Sequence, residues 1–234
     1  MPTVNYISVI PDGQDEDYQH PTFAEDFEIP PTPAFNEGDK QHDHKSCPAH
    51  KEWCKNRWTF YMPFDLHLKA IPSEGKLIVS DSIEANEFGS LLEINENWWN
   101  DANIPEIQVK WNTLFWTEEK HGVWMEYTGH PRLAETGITL VPGTFPISSW
   151  MRSLPIPVTI NKLEQDIWIK RGTPLFHVRF YDKRGSTFKL RRKAPTKDRL
   201  EQIKQDKTLK SYMRFASWDL IKKRESKCPF KNLF

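Results

Sequence analysis

Trp58, Phe60 and Met62 alternate with Thr59 and Tyr61 until Pro63 breaks the run, and that pattern returns along most of the chain. Alternation with a period of two puts successive side chains on opposite faces, so each run reads as a strand with one buried face. Leu66, Leu68 and Ala70 continue beyond Pro63, and Lys76-Leu77-Ile78-Val79 follows a Ser-Glu-Gly turn. Leu91, Leu92 and Ile94 make a short run. In the longer stretch from Glu106 to Trp116, Ile107, Val109, Trp111 and Leu114 sit among polar neighbours. Lys120-His121-Gly122 reads as a hairpin turn into Val123 to Tyr127, and Pro142-Gly143 ends the run from Gly137 to Val141. Pro157 to Asn161, Asp166 to Lys170 and Leu175 to Tyr181 complete a strand–turn–strand series. Proline outnumbers glycine, 18 to 10, which keeps loops stiff and segments short. No long helical pattern separates the strands. A doubly wound parallel sheet is therefore excluded, and a mostly-β short-strand sandwich or barrel is expected.

The flanks differ from this core. Val4, Tyr6, Ser8 and Ile10 suggest one strand in residues 1–10, and 11–46 reads as an arm rich in Pro, Asp, Glu and His. Within the arm, Pro30-Pro31-Thr32-Pro33 favours an extended polyproline conformation. After Pro195 the period becomes helical. Thr196 is placed to cap and Asp198 to meet the helix dipole, with Leu200, Ile203, Leu209, Met213, Leu220 and Ile221 on the apolar side to about Lys223. Three regions follow: an acidic N-terminal strand and arm over 1–46, a β-rich core over 47–194, and basic helices packed on it over 195–234.

Net charge is zero, which argues against a protein that is basic all over. The zero hides a polarity. Residues 1–40 carry nine acids against Lys40 alone, and residues 179–234 carry eighteen Lys and Arg against six Asp and Glu. Met1-Pro2-Thr3-Val4-Asn5 lacks the basic flank and apolar run of a secretory leader. No stretch of roughly 18 apolar residues occurs, so no membrane span is expected. Three cysteines cannot all pair within the chain. A cytosolic protein with reduced thiols is the expectation.

Soft metal ligands concentrate in one stretch. His42-Asp43-His44-Lys45-Ser46-Cys47-Pro48-Ala49-His50-Lys51-Glu52-Trp53-Cys54 holds three of the eight histidines and two of the three cysteines. Thiolate and imidazole suit zinc, and a structural zinc takes four such ligands. Cys47, His50 and Cys54 have workable spacings, with His44, His42 or the distant Cys228 as a fourth. The pattern matches no standard finger. The plainer reading is a buried Cys47 beside a proline turn, with histidines decorating an exposed loop. The Cys-Pro pairs Cys47-Pro48 and Cys228-Pro229 also suit thiolate ligation of haem. An iron site of two histidines and a carboxylate would need His67, His121, His130 and His177 to converge from their strands.

Other chemistry is sparse. There is no Gly-x-Ser-x-Gly, no papain-like cysteine context and no phosphate loop. The ten tryptophans suit core filling. The adjacent Trp98-Trp99 would face opposite ways on a strand, which offers one of them for stacking on a sugar or base. Lys189-Leu190-Arg191-Arg192-Lys193 is a basic run able to grip phosphates, or a solvated strand end.

Two resemblances follow from particular residues. Cys47-Pro48-Ala49, then Asn56-Arg57-Trp58-Thr59-Phe60-Tyr61-Met62-Pro63-Phe64-Asp65-Leu66, looks like the opening of an uncharacterised protein family of tailed phages, T4-like marine phages among them, with relatives in bacteria. Ile167-Trp168-Ile169-Lys170-Arg171-Gly172-Thr173-Pro174-Leu175 resembles that family's second landmark, a Gly-Thr-Pro turn between strands. The similarity covers roughly residues 45–230 and implies a phage-encoded protein of unknown activity. A fainter resemblance, through Val158-Thr159-Ile160-Asn161 and Gly172-Thr173-Pro174-Leu175, is to the β-clip fold of dUTPases and dCTP deaminases. The Gly, Asp and Tyr motif of dUTPases has no counterpart here; Gly143-Thr144-Phe145-Pro146-Ile147-Ser148 stands in its place. That resemblance implies the fold and not nucleotide hydrolysis.

The favoured function is non-catalytic binding of a protein partner, from the host or the virion, because a long arm and charge polarity suit an interaction role. A zinc- or iron-dependent enzyme, or a zinc-stabilised domain, centred on His44, Cys47, His50, Cys54 and Cys228 is the main alternative. Nucleic-acid binding by Lys189, Arg191, Arg192 and Lys193 is the second.

Overall fold

Each alternating run becomes a strand, and the strands sort into three sheets. In chain order the elements are β1 (Thr3–Ile10), β2 (Thr22–Phe23), β3 (Thr32–Pro33), α1 (Pro48–Cys54), β4 (Arg57–Tyr61), β5 (Leu66–Ser73), β6 (Lys76–Asp81), β7 (Leu92–Ile94), β8 (Glu106–Thr117), β9 (Trp124–Gly129), α2 (Pro131–Glu135), β10 (Ile138–Leu140), β11 (Gly143–Pro146), β12 (Arg152–Ile160), β13 (Asp166–Ile169), β14 (Pro174–Tyr181) and β15 (Lys189–Arg192). The structure is a computed structural model that describes residues 1–10, 22–23, 28–34, 47–73, 76–81, 92–94, 106–119, 122–150 and 152–202. Its last helix is described over 197–202.

The largest sheet has seven strands, in the order β10-β12-β8-β1-β15, with β2 beside β1 and β7 beside β8. The second has five, β11-β9-β14-β4-β3, and the third has three, β13-β5-β6. β1 and β15 run parallel. The register of β12 against β8 shifts between Leu154 and Ile156. Pro155 sits at that point and has no N–H to give the ladder.

The seven- and five-stranded sheets face each other across an aromatic layer. Phe60 of β4 meets Tyr6 of β1 and Phe115 of β8 edge-on, with ring centroids 5.7 and 5.4 Å apart, and stacks on Phe176 of β14 at 5.2 Å. Phe180 of β14 also reaches Phe115, at 5.8 Å. The small sheet adds Leu66, Leu68, Ala70, Ile167 and Ile169 to the same core. Its alternate residues His67, Lys69, Ile71 and Trp168 therefore point away from the core.

Gly143 opens β11 opposite Tyr127, and a Cβ there would lie 2.5 Å from the Tyr127 hydroxyl and 2.7 Å from two ring carbons. Gly143→Ala is expected to cost about 1–3 kcal/mol through overpacking, read from the denaturant midpoint. An unchanged midpoint would mean that the ring swings aside.

Three sequence expectations change. β8 and β9 belong to different sheets, so the chain around Gly122 crosses between layers and does not fold a hairpin. β13 and β14 likewise part at the Arg171-Gly172 turn, β13 to β5 and β14 to β4 and β9. Thr32–Pro33 is a strand, paired with Trp58 and Thr59 of β4. Part of the arm is thus laid on a sheet; 11–21, 24–27 and 35–46 lie outside the described residues. The final helix begins where Thr196 was expected to start it, with the Leu200 N–H donating to the Thr196 carbonyl at 3.0 Å. Arg199 ties that helix to Glu118 at the end of β8, at 2.6 Å. The continuation expected to Lys223 lies outside the described residues. Among the described residues no helix is long and apolar enough to cross a membrane.

Candidate functional site

Helix α1 has seven residues, with Pro48 in its first turn and Cys47 as N-cap. Asn56, in the left-handed region at φ 55, then turns the chain sharply into β4. Its side chain holds the turn, donating to the Ser186 carbonyl at 2.8 Å and accepting from the Phe188 N–H at 2.9 Å. This connection lays α1 over the outer face of the five-stranded sheet.

Cross-strand partners share a face. Register therefore sets two rows across β4, β14 and β9: Thr59, His177 and Thr128, then Arg57, Arg179 and Glu126. Thr144 of β11 extends the second row beyond Glu126. Arg57 is 3% exposed. Its Nε donates to the Trp53 carbonyl at 3.0 Å, Nη1 to Thr128 Oγ1 at 3.2 Å, and Nη2 to Glu126 Oε1 at 3.1 Å. The same guanidinium lies 4.0 Å from the centre of the Trp53 ring.

His177 is the buried centre of the layer. Its Nδ1 and Thr59 Oγ1 lie 3.1 Å apart, the Trp53 edge packs on its ring at 5.1 Å, and the His130 ring is 4.7 Å away. The β9–β14 ladder continues one step past Gly129 and brings His130 there, its N–H donating to the Leu175 carbonyl at 2.9 Å. Burial, helped by His130 and Arg57, pushes His177 down to about 4. Burial and then Arg132 also lower His130. His130 caps α2 by accepting the Arg132 N–H on its Nδ1, at 3.2 Å.

His50 and Cys54, one helical turn apart, place Nε2 and Sγ at 3.3 Å, and His50 stacks on Trp53. Cys54 is buried, and burial raises its thiol pKa, which makes it a poor nucleophile. Cys47 is exposed, which corrects the expectation that it is the buried thiol. Its side chain makes no capping hydrogen bond, although the nearby His50 and Ala49 N–H groups lower its pKa.

A second constellation lies on the small sheet. Trp168 of β13 is 54% exposed. His67 of β5 stacks on it at 4.1 Å with 16° between planes, and the Lys170 ammonium lies 5.3 Å from its centre. Asp166 anchors His67 at 2.8 Å and Lys69 at 3.5 Å. These contacts, the His67 hydrogen bond foremost, lower the pKa of Asp166.

The comparisons with known proteins add little to this geometry. No protein-family model matches the chain, and no curated protein matches it. Among solved structures it is similar to a dUTPase mutant of Staphylococcus bacteriophage 80alpha, at 7% identity over 66% of this chain and 83% of that one, with a TM-score of 0.34. It is also similar to native EIAV dUTPase, at 8% identity over 61% and 84% with a TM-score of 0.31. A dUTPase mutant from phage phi11 of S. aureus matches at 9% identity over 70% and 95%, with a TM-score of 0.32. The likeness is a faint one of β-fold.

Sequence and structure meet unevenly at the expected sites. Of the metal candidates, His50 and Cys54 come together, while His44 and Cys228 lie outside the described residues, as does His42. Among the described residues no three His, Cys, Asp or Glu side chains gather as a metal site. Of the strand histidines, His130 and His177 converge, His67 belongs to the small sheet, and His121 lies outside the described residues, like Trp98 and Trp99. The basic run forms edge strand β15 and the residue after it, and Lys189, Arg191, Arg192 and Lys193 are all exposed. Two of these are engaged: Arg191 Nε donates to Asn5 Oδ1 at 3.2 Å, and Arg192 Nε pairs with Glu28 Oε2 at 2.8 Å. Sequence reading missed Trp168. The available signal was its place in Asp166-Ile167-Trp168-Ile169-Lys170, where alternation puts the indole on the charged face.

Proposed function

We propose that this chain is a non-catalytic binding protein, a phage accessory protein that docks a host or virion protein on the outer face of its small sheet, around Trp168. The observation that carries this reading is an indole 54% exposed yet fixed by stacking on His67 at 4.1 Å. A rigid exposed tryptophan loses little freedom on binding, and such residues dominate interface energetics. Lys170 borders the indole, the Lys69–Asp166 pair lies next to it on the same face, and Ile71, 41% exposed, lies beyond that pair along β5.

The test uses the immobilised full chain and extract of infected host cells, followed by affinity measurement on the captured protein. Trp168→Ala is expected to weaken that binding about 30-fold or more, the scale of an interface hot spot. Trp53→Ala, which removes an exposed indole on helix α1 away from the small sheet, serves as the control and should bind as wild type does. Equal affinity for wild type and Trp168→Ala would remove the small sheet as the docking face.

Nucleic-acid binding through β15 is the second reading, supported by three exposed cations on one edge strand and a fourth, Lys193, just after it. It requires affinity that falls steeply with salt, which is readily distinguished from an interface centred on an indole. A zinc would have to be built on His50 and Cys54, already one helical turn apart, and metal content compared between wild type and Cys54→Ser decides that question.

A further inference from the structure

The outer face of the five-stranded sheet holds two guanidiniums and one carboxylate, and the carboxylate serves only one of them. Arg57, Arg179 and Glu126 are direct cross-strand neighbours, with Arg179 in the middle. Glu126 nevertheless gives its oxygen to Arg57, at 3.1 Å. Arg57 is the more deeply buried cation, and an unpaired charge there would be the costlier one. Arg179 is left half-buried, and its Nε is shielded from solvent with no hydrogen-bond partner.

We propose that Arg179, with Arg57 beside it, binds a phosphate group on the outer face of the five-stranded sheet. Like charges directly opposite on neighbouring strands destabilise a sheet. The row carries two positive charges and one negative, so a bound anion would balance it. Hydroxyls stand in the adjoining positions: Tyr181 is two residues along β14, and its oxygen is 3.1 Å from that of Thr144, which lies in the same row and itself donates to the Met125 carbonyl at 3.0 Å. A guanidinium fork joined by a phenol hydroxyl two residues along the same strand meets a tetrahedral oxyanion from more directions than a planar carboxylate can use. Glu126 still repels an anion, but its pairing with Arg57 at 3.1 Å offsets that charge and leaves the row with a net positive one. This site is independent of the docking face around Trp168, and neither proposal stands on the other.

The test is a titration of the full chain with inorganic phosphate, with sodium chloride and sodium acetate at matched ionic strength as controls. Binding is read from tryptophan fluorescence, since Trp53 lies against Arg57 and Trp124 beside Tyr181, and from the thermal midpoint. Phosphate is expected to saturate the wild-type signal and raise the midpoint, with chloride and acetate doing neither. Arg179→Gln should weaken phosphate binding at least tenfold. Without phosphate, its own midpoint should equal or exceed that of wild type, because a like-charge pair has been removed. A phosphate response of the same size in wild type and Arg179→Gln would overturn the proposal, as would no response in either. An acetate response equal to that of phosphate would overturn the assignment to phosphate.

Discussion

Phe60→Ala is expected to lower stability by about 3–5 kcal/mol, the largest effect of any single truncation considered. Phe60 is 6% exposed and touches Tyr6, Phe115 and Phe176, which come from β1, β8 and β14. Its removal takes away buried apolar surface and leaves a cavity between two sheets. Backbone pairing on both sides keeps the walls from collapsing into that space. Equilibrium denaturation measures the cost. Phe60→Leu, which retains most of the volume, should recover more than half of it. A loss below about 1 kcal/mol for Phe60→Ala would mean that the two sheets do not meet at this ring.

Acid should weaken the protein in a window set by His177. In the fold this imidazole sits at about 4, against an ordinary value of 6.5. Above 6.5 both folded and unfolded chains carry it neutral, and its contribution to stability is complete. As pH falls from 6.5 the unfolded chain takes up a proton that the folded chain refuses, so stability drops until the folded imidazole also titrates near 4. The full shift corresponds to about 3 kcal/mol, and allowing for residual solvent screening leaves about 2 kcal/mol. His130 adds to the loss with the same sign, since its lowered pKa also reflects burial, and protonation at Nδ1 would end its cap on Arg132. The lowered carboxylates Asp65, Asp166 and Asp182 act below this window, because their ordinary pKa already lies under 4. Unfolding free energy measured from pH 7 to 4 should therefore decline in wild type and decline much less in His177→Gln. Parallel curves for the two proteins would place the acid sensitivity elsewhere.

Local order was legible and long-range order was not. The alternation in Leu175 to Tyr181 marks β14, because one buried face imposes period two on the sequence. Nothing in that run reveals that β14 lies between β4 and β9. The polar layer exists only through that pairing: Arg57, Thr59, Glu126, Thr128, His177 and Arg179 each look like solvent-facing positions of separate strands. Register brings them together under Trp53. The parallel pairing of β1 with β15 was hidden for the same reason, since it joins the two ends of the described chain. Helix α1 was readable in principle. Pro48 just inside its start and the i, i+4 spacing of His50 and Cys54 are helix signals, but a proline turn with exposed histidines explains the same residues. Trp168 was overlooked because tryptophan is expected in the core, and only its charged neighbours on alternate positions mark it as exposed.

The docking face is tested most directly by placing a photo-crosslinking p-benzoylphenylalanine at Ile71, on the same face as Trp168 and four residues along β5 from its partner His67, and a second at Lys189 on the basic edge. Both proteins would be irradiated in extract of infected cells. The expected result is one discrete protein adduct from position 71 that disappears when Trp168→Ala is combined with the crosslinker, and no such adduct from position 189. A protein adduct from position 189 with none from position 71 would contradict the assignment of the small sheet as the partner-binding face.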